Sequence, residues 1–327
     1  MKKLNVSIIG SAGYTGGELL RLLVNHQNVD SITAVSQSQK NKLVTEVFTD
    51  LLGETDLKFS DSPNKNSDVI FLCLQHGDSI NYLKENPYLL NNKVIDLSRD
   101  FRSIGNNSFD AKKFVYGLPE LNKDKIKDAQ YIANPGCFAT AIQLALLPFA
   151  KSNLLKGTIH VNAVTGSTGA GIKPSDTTHF SWRQNNVSVY QAFEHPHNSE
   201  IKESLSQVQT NFSSEFLFVP QRGNFTRGIL ASTVLECDLS ESEIKDLFED
   251  HYKNDPFTFL VDKTIDLKMV VNTNKCLLNI KKHNKHVLIT SVIDNLLKGA
   301  AGQAVQNMNI MFGLNEQEGL KLKCITY

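Results

Sequence analysis

The stretch "LNVSIIGSAGYTGGELLRLLVNH", residues 4–26, carries three signals in a row. Residues 4–10 are β-branched and apolar, as in a strand buried within a sheet. Gly10, Gly13, Gly16 and Gly17 then crowd into one turn, after which "GELLRLLVNH" spaces its apolar residues as a helix does. A strand feeding a helix through glycines suits a dinucleotide. The missing side chains let the backbone pass close to a pyrophosphate, and the helix N-terminus offers N–H groups and the positive end of its dipole. The spacing is Gly-x-x-Gly-x-x-Gly, with Ala12 at the middle position of the standard fingerprint. The competing reading is a tight turn that binds nothing.

The residues further along extend the pattern. "SITAVS" (31–36), "DVIFLCL" (68–74) and "KVIDLS" (93–98) read as buried strands with helical material between them. Strand and helix in alternation imply a parallel, doubly wound Rossmann-type sheet. The second strand runs into "AVSQSQKNK", where Ser36, Ser38, Lys40 and Lys42 precede the first carboxylate, Glu46. An acidic residue there would hold a ribose 2′-hydroxyl and repel a 2′-phosphate, so the run favours NADP over NAD. An ordinary polar loop is the alternative.

After about residue 137 the pattern changes. "GCFATAIQLALLPFAK" reads as a helix, as does "SESEIKDLFEDHYK". "TIHVNAVTG" (158–166), "SEFLFVPQ" (214–221), "GILASTVLEC" (228–237) and "KHVLITSVID" (285–294) read as strands. These imply an α+β domain with an antiparallel or mixed sheet. "NLLKGAAGQAVQNMNIMFGL" (295–314) reads as a helix whose small residues allow close packing, expected to return to the first domain. The expected division is a nucleotide-binding domain at 1–137, completed by 295–327, and a catalytic and dimerisation domain at 138–294.

Composition narrows the partners. Lysine plus arginine and aspartate plus glutamate number 34 each, so no basic excess favours nucleic acid or an anionic membrane. No apolar run approaches bilayer length, and the start of the chain reads as a strand rather than a secretory segment. The five cysteines are scattered and never paired as Cys-x-x-Cys, which argues against a disulfide framework or structural zinc. A cytoplasmic enzyme acting on a small molecule is the expectation, with a homodimer or homotetramer supported by the sheet-bearing second domain.

"ANPGCFAT" (133–140) sets Cys137 at the expected start of a helix, where the dipole stabilises a thiolate. Position alone leaves a packed thiol and a nucleophile both open. A thiolate needs a proton partner. "FEHPHNSEI" (193–201) offers His195, His197, Glu194 and Glu200; the His-x-His spacing would set both imidazoles on one face of a strand. No third ligand at metal spacing is visible, so no metal is expected. "VTGSTGAGIK" (164–173) is either an anion-contacting loop or a plain one. Arg227 is a candidate anion clamp, with a surface ion pair as the alternative.

These residues together resemble the N-acyl-γ-glutamyl-phosphate reductase family of arginine biosynthesis. The resemblance rests on Gly-x-x-Gly-Tyr-x-Gly at 10–16, "DLSRDFR" at 96–102, "VYGLPEL" at 115–121 and "NPGC" at 134–137. "GSTGAG" at 166–171, His-x-His-x-x-Glu at 195–200 and the run at 295–314 continue it, so it spans nearly the whole chain in order. The wider relatives are the aspartate-semialdehyde and glyceraldehyde-phosphate dehydrogenases, which implies a Rossmann domain plus a glyceraldehyde-phosphate-dehydrogenase-like α+β domain.

The resemblance also implies roles: Cys137 as nucleophile, His197 as acid/base, and His195, Glu200, Arg227 and Arg99 at the acyl-phosphate substrate. Gly10, Ser11, Gly13, Tyr14, Thr15 and Gly16, with Ser36 and Ser38, would hold NADP; Gly302 and Gln303 would reach its nicotinamide. The implied reaction is reduction of N-acetyl-glutamyl phosphate to the semialdehyde through a cysteine thioester. The chain departs from the family pattern at Pro196 and Ser199, where the family has Arg and Pro, and in "PQRGNFTRG", where Arg222 is new. That added cation makes an N-succinyl substrate the alternative.

Overall fold

The computed structural model describes residues 2–325; the outermost ends of the expected nucleotide-binding domain, residues 1 and 326–327, lie outside the described residues. The chain forms two compact units, Met1–Pro135 with Ala300–Lys321, and Gly136–Gly299 with Leu322–Tyr327.

The first unit is built on a six-stranded parallel sheet. Its strands are β1 (Leu4–Ile9), β2 (Val29–Val35), β3 (Val69–Leu72), β4 (Lys93–Asp96), β7 (Val115–Tyr116) and β8 (Tyr131–Ala133), and a two-stranded hairpin, β5 (Ser108–Phe109) and β6 (Lys112–Lys113), stands apart. The order β2-β1-β3-β4-β8-β7 grows outward from β1 in both directions, so the chain reverses direction across the sheet beside β1. Such a switch point leaves a crevice at the carboxyl ends of the strands. Val69–Leu72 are buried throughout, as the continuous apolar run "VIFL" requires of a central parallel strand.

Helices α1 (Tyr14–Leu23), α2 (Val44–Val47), α3 (Asp78–Glu85), α4 (Pro119–Lys127) and α9 (Ala301–Met311) complete this unit. The helix expected over 295–314 begins only at Ala301. Residues 296–300 form turns, and Asp294 accepts the Leu296 and Leu297 N–H groups before the helix can start. Helix α9 packs on α1 and α4 and is tied by polar contacts: Asn307 donates to Gly117 O and Asn134 Oδ1, and Asn134 donates to Ala300 O.

The second unit holds a mixed seven-stranded sheet in the order β10-β11-β9-β12-β15-β14-β13. The strands are β9 (Thr158–Thr165), β10 (Ser188–Val189), β11 (Glu215–Arg222), β12 (Ile229–Glu236), β13 (Thr258–Leu260), β14 (Cys276–His283) and β15 (His286–Ile293). Its helices are α5 (Cys137–Lys151), α6 (Phe180–Arg183), α7 (His197–Val208) and α8 (Glu241–Tyr252). Alternation along β11 and β12 sends Phe216, Phe218, Ala231 and Leu235 into the core, while Leu217, Val219, Leu230 and Val234 stay half-buried on the other face. Helix α5 is apolar nearly all round and buried from Phe138 to Ala150, packed by α7 and the sheet.

Candidate active site

The glycine turn is built for an anionic group. Gly10 has φ +78°, and a Cβ there would lie 2.5 Å from Cys73 O, so only glycine fits. Gly16 packs against the turn, its absent Cβ 2.5 Å from Ser11 Cα. Gly13 is the N-cap of α1, and no side chain caps the helix; a Cβ there would meet only Gly10 O, at 3.6 Å. The first turn of α1 also carries no acidic residue. The open helix start and close-packed glycines fit the pyrophosphate of a dinucleotide.

The neighbouring hydroxyls divide their work. Ser11 is buried and gives its hydroxyl to Val35 O at 3.0 Å, so it locks the turn to β2 instead of reaching outward. Ser36 is buried with its N–H on Ser60 O; Ser38 is exposed, its Oγ 3.4 Å from that of Ser36. Lys40 pairs with Asp61 at 2.5 Å, bringing to the end of β2 a carboxylate that sequence proximity hides. Arg99 is exposed, and its N–H donates to His76 Nδ1. Burial, with help from Arg102 and Arg99, holds His76 below the usual histidine range. Gly302 and Gln303 lie buried in the first turn of α9.

In the second unit, Cys137 is the first residue of α5, and the N-cap Gly136 leaves the helix end uncapped by any side chain. The Gly136 N–H donates to Glu200 Oε1 at 2.7 Å. Glu200 is buried in the first turn of α7, so α7 clamps the backbone just before Cys137.

The two histidines do not share a strand face. His195 lies in the turn before α7, and His197 is the first residue of that helix, because Pro196 turns the chain in the αR conformation. Their rings still meet, with centroids 4.6 Å apart, and both flank Phe138, the residue after Cys137, at 5.6 and 6.3 Å. The His197 N–H donates to His195 Nδ1 at 3.2 Å, which leaves the proton of a neutral His195 on Nε2. Burial first, then the charge of Arg222, pushes His195 down to about 4. A group so low is a neutral imidazole near pH 7, with no imidazolium proton, and His197 is the second imidazole of the pair.

Two expectations change with tertiary structure. The Arg227 guanidinium is bonded to the buried Asp294 carboxylate through Nε and Nη2, a tie that holds its loop rather than an outward clamp. The Gly/Ser/Thr loop spends its N–H groups on the same loop: Gly166, Ser167 and Thr168 donate to Gly228, Phe225 and Thr226 carbonyls. Sequence reading missed Tyr190, Phe218 and Arg183, which surround His195 or Arg222; nothing local marks them, since they arrive from the residue after an edge strand, from an inner strand and from a short helix. Among the described residues no group of three or more His, Cys, Asp or Glu side chains could hold a metal ion.

A parallel nucleotide-type unit followed by a mixed-sheet unit that opens on a helix-start cysteine defines the semialdehyde dehydrogenase class. The family model "Semialdehyde dehydrogenase, NAD binding domain" matches residues 5–129, and "Semialdehyde dehydrogenase, dimerisation domain" matches 137–295. The fold is similar to that of aspartate semialdehyde dehydrogenase II from Vibrio cholerae, with a TM-score of 0.75 and 17% identity over 96% of this chain and 99% of that one. Closer in sequence are proteins named N-acetyl-gamma-glutamyl-phosphate reductase. The Flavobacterium johnsoniae protein is 53% identical and that of Bacteroides thetaiotaomicron 52%, each over 98% of both chains. The chain belongs to the N-acetyl-gamma-glutamyl-phosphate reductase family.

Proposed function

We propose that the protein reduces N-acetyl-glutamyl 5-phosphate to N-acetyl-glutamate 5-semialdehyde with release of phosphate, a step of arginine biosynthesis. The observation that carries this is Cys137 at the uncapped start of α5, beside a histidine pair. The curated relatives carry the N-acetyl name, which favours N-acetyl over the N-succinyl alternative.

The Cys137 thiolate, favoured by the helix dipole, attacks the acyl-phosphate carbon; the C–O bond breaks and phosphate leaves with its electron pair. Cys137 then holds the acyl group as a thioester, a carbonyl more electrophilic than a carboxylate. A bound nicotinamide cofactor supplies the hydride. His197 holds the proton at the tetrahedral oxygen, and the sulfur departs as thiolate when the aldehyde forms. His195, neutral, accepts the His197 N–H and keeps the start of α7 in place. Glu200 does the same for the Gly136–Cys137 turn. Arg99 is the proposed contact for the substrate's anionic end.

Gly10, Gly13, Tyr14, Thr15, Gly16 and Ser38 would hold the cofactor, with Gly302 and Gln303 at its nicotinamide end. NADPH is the proposed form, because Ser36 and Ser38 follow β2 and Lys40 offsets the Asp61 carboxylate. A cytoplasmic homodimer or homotetramer is proposed, the half-buried sheet face of Leu217, Val219, Leu230 and Val234 meeting a second copy.

The test is phosphate-dependent reduction of NADP by N-acetyl-glutamate semialdehyde. Cys137→Ser is expected to abolish it while NADPH binding persists; retained turnover would remove Cys137 from the role.

A further inference from the structure

Arg222 closes β11, half-buried, its guanidinium carbon 4.7 Å from the centroid of the Tyr190 ring and hydrogen-bonded to the Tyr190 side chain. Arg183, 7% exposed, lies behind it and donates through Nη1 to Arg222 O at 2.8 Å and through Nη2 to Ser188 Oγ. The Nε of each arginine is buried with no hydrogen-bond acceptor. Among the described residues, neither guanidinium has a carboxylate within ion-pair distance. Arg21, by contrast, pairs with Glu18 and Asp50, and Arg227 with Asp294, while Arg102 donates to the Asn134 and Leu97 carbonyls and Arg99 is exposed to solvent.

Two adjacent, partly desolvated cations without an anion are costly in a folded chain unless a ligand supplies the charge. The pair also stands in the nucleophile's neighbourhood. Tyr190, under Arg222, is pushed up to about 12 by burial and by Cys137, and its ring lies 5.7 Å from His195. The segment that holds Tyr190 in place is strained, with Gln191 at φ 47° and Phe193 at φ 66°.

We propose that Arg222, positioned by Arg183 and Tyr190, recognises a carboxylate on the acyl-amino-acid part of the substrate and so determines substrate specificity. The proposal rests on the reading of the protein as an acyl-glutamyl-phosphate reductase. A guanidinium edge matches the planar fork of a carboxylate, and the five N–H donors of an arginine exceed what one hydrogen bond to Tyr190 takes up. The carboxylate has two sources: the α-carboxylate of the glutamyl group, or one carried on the N-acyl group. Arg183 acts through Arg222 as a positioning residue.

The experiment measures the reverse reaction with NADP, varying phosphate and either N-acetyl- or N-succinyl-glutamate semialdehyde. Wild-type turnover tests the reductase reading by itself, so failure there is distinct from failure of the arginine. Arg222→Gln is expected to raise KM for semialdehyde about tenfold or more, the scale of one lost charge-assisted hydrogen bond, with KM for phosphate within about twofold. Arg222→Lys should recover part of the loss. An equal rise for both semialdehydes assigns the α-carboxylate; a rise confined to the succinyl compound assigns the acyl group. Arg183→Gln, which leaves Arg222 in the chain, should give a smaller rise of the same kind if Arg222→Gln does not fold. A rise in KM for phosphate instead, or a fall in kcat with semialdehyde KM unmoved, would overturn the proposal.

Discussion

The Glu200 carboxylate accepts the Gly136 N–H at 2.7 Å, joining the first turn of α7 to the N-cap of α5. His197 opens one helix and Cys137 the other, so this buried hydrogen bond helps hold the proposed proton carrier and the proposed nucleophile to a common frame. Removing the acceptor leaves a buried N–H unpaired. Glu200→Ala is therefore expected to lower stability by about 1–3 kcal/mol and to slow iodoacetamide labelling of Cys137. Glu200→Gln, which keeps an acceptor oxygen, should stay within about 1 kcal/mol of wild type. Urea unfolding and labelling rates check both; equal losses in the two variants would refute the hydrogen-bond role.

His195 makes stability depend on acid. Its folded value of about 4 lies below the ordinary 6.5, because burial and then Arg222 disfavour the imidazolium. Between those values the unfolded chain binds a proton that the folded chain does not, so this contribution is present above 6.5 and is lost as pH falls toward 4. His195→Gln should flatten that part of the profile. Urea midpoints at pH 7 and pH 4.5 are the measurement, and an unchanged slope would count against the assignment.

Asp96 works in the opposite direction. Burial raises its carboxyl to about 6, even though the Ser79 and Ser98 hydroxyls donate to it at 2.6 and 2.7 Å. Here the folded chain holds a proton that the unfolded chain has lost, so stability falls as pH rises from 3.8 through 6. Asp96→Asn should gain on wild type by on the order of 2 kcal/mol between pH 4 and pH 7. Thermal melts of the two proteins across that range decide it.

Cofactor choice should respond to Lys40. Its pairing with Asp61 offsets the carboxylate near the end of β2. Lys40→Ala exposes that charge to a 2′-phosphate and is expected to raise KM for NADPH about two- to fivefold while KM for NADH moves less. Parallel titration with both cofactors tests this; equal changes would place the pair away from the 2′-position.

The first unit was legible because its signals are local. Buried parallel strands read as unbroken apolar runs, and Gly10 and Gly16 mark places where backbone meets backbone. Helix α7 was harder. Its start, "HPHNSE", is polar and looks like a solvated turn, yet Glu200 and Ile201 are buried because they pack on α5. Strand β14 ends in Lys281, Lys282 and His283, and its apolar first half is too short to announce a strand without its partner β15.

Cys137 at a helix start, the glycine turn and the alternation of strand and helix follow from the sequence itself, since each depends on neighbours within a few residues. Tertiary structure decided which side chains serve those features. Arg227 faces inward to Asp294, 67 residues away, and Glu200 reaches a backbone N–H 64 residues before it. Arg222 finds Arg183 and Tyr190 but, among the described residues, no carboxylate within ion-pair distance. Whether a charge is spent or available depends on what lies within a few ångströms in space, and linear spacing carries no record of that distance.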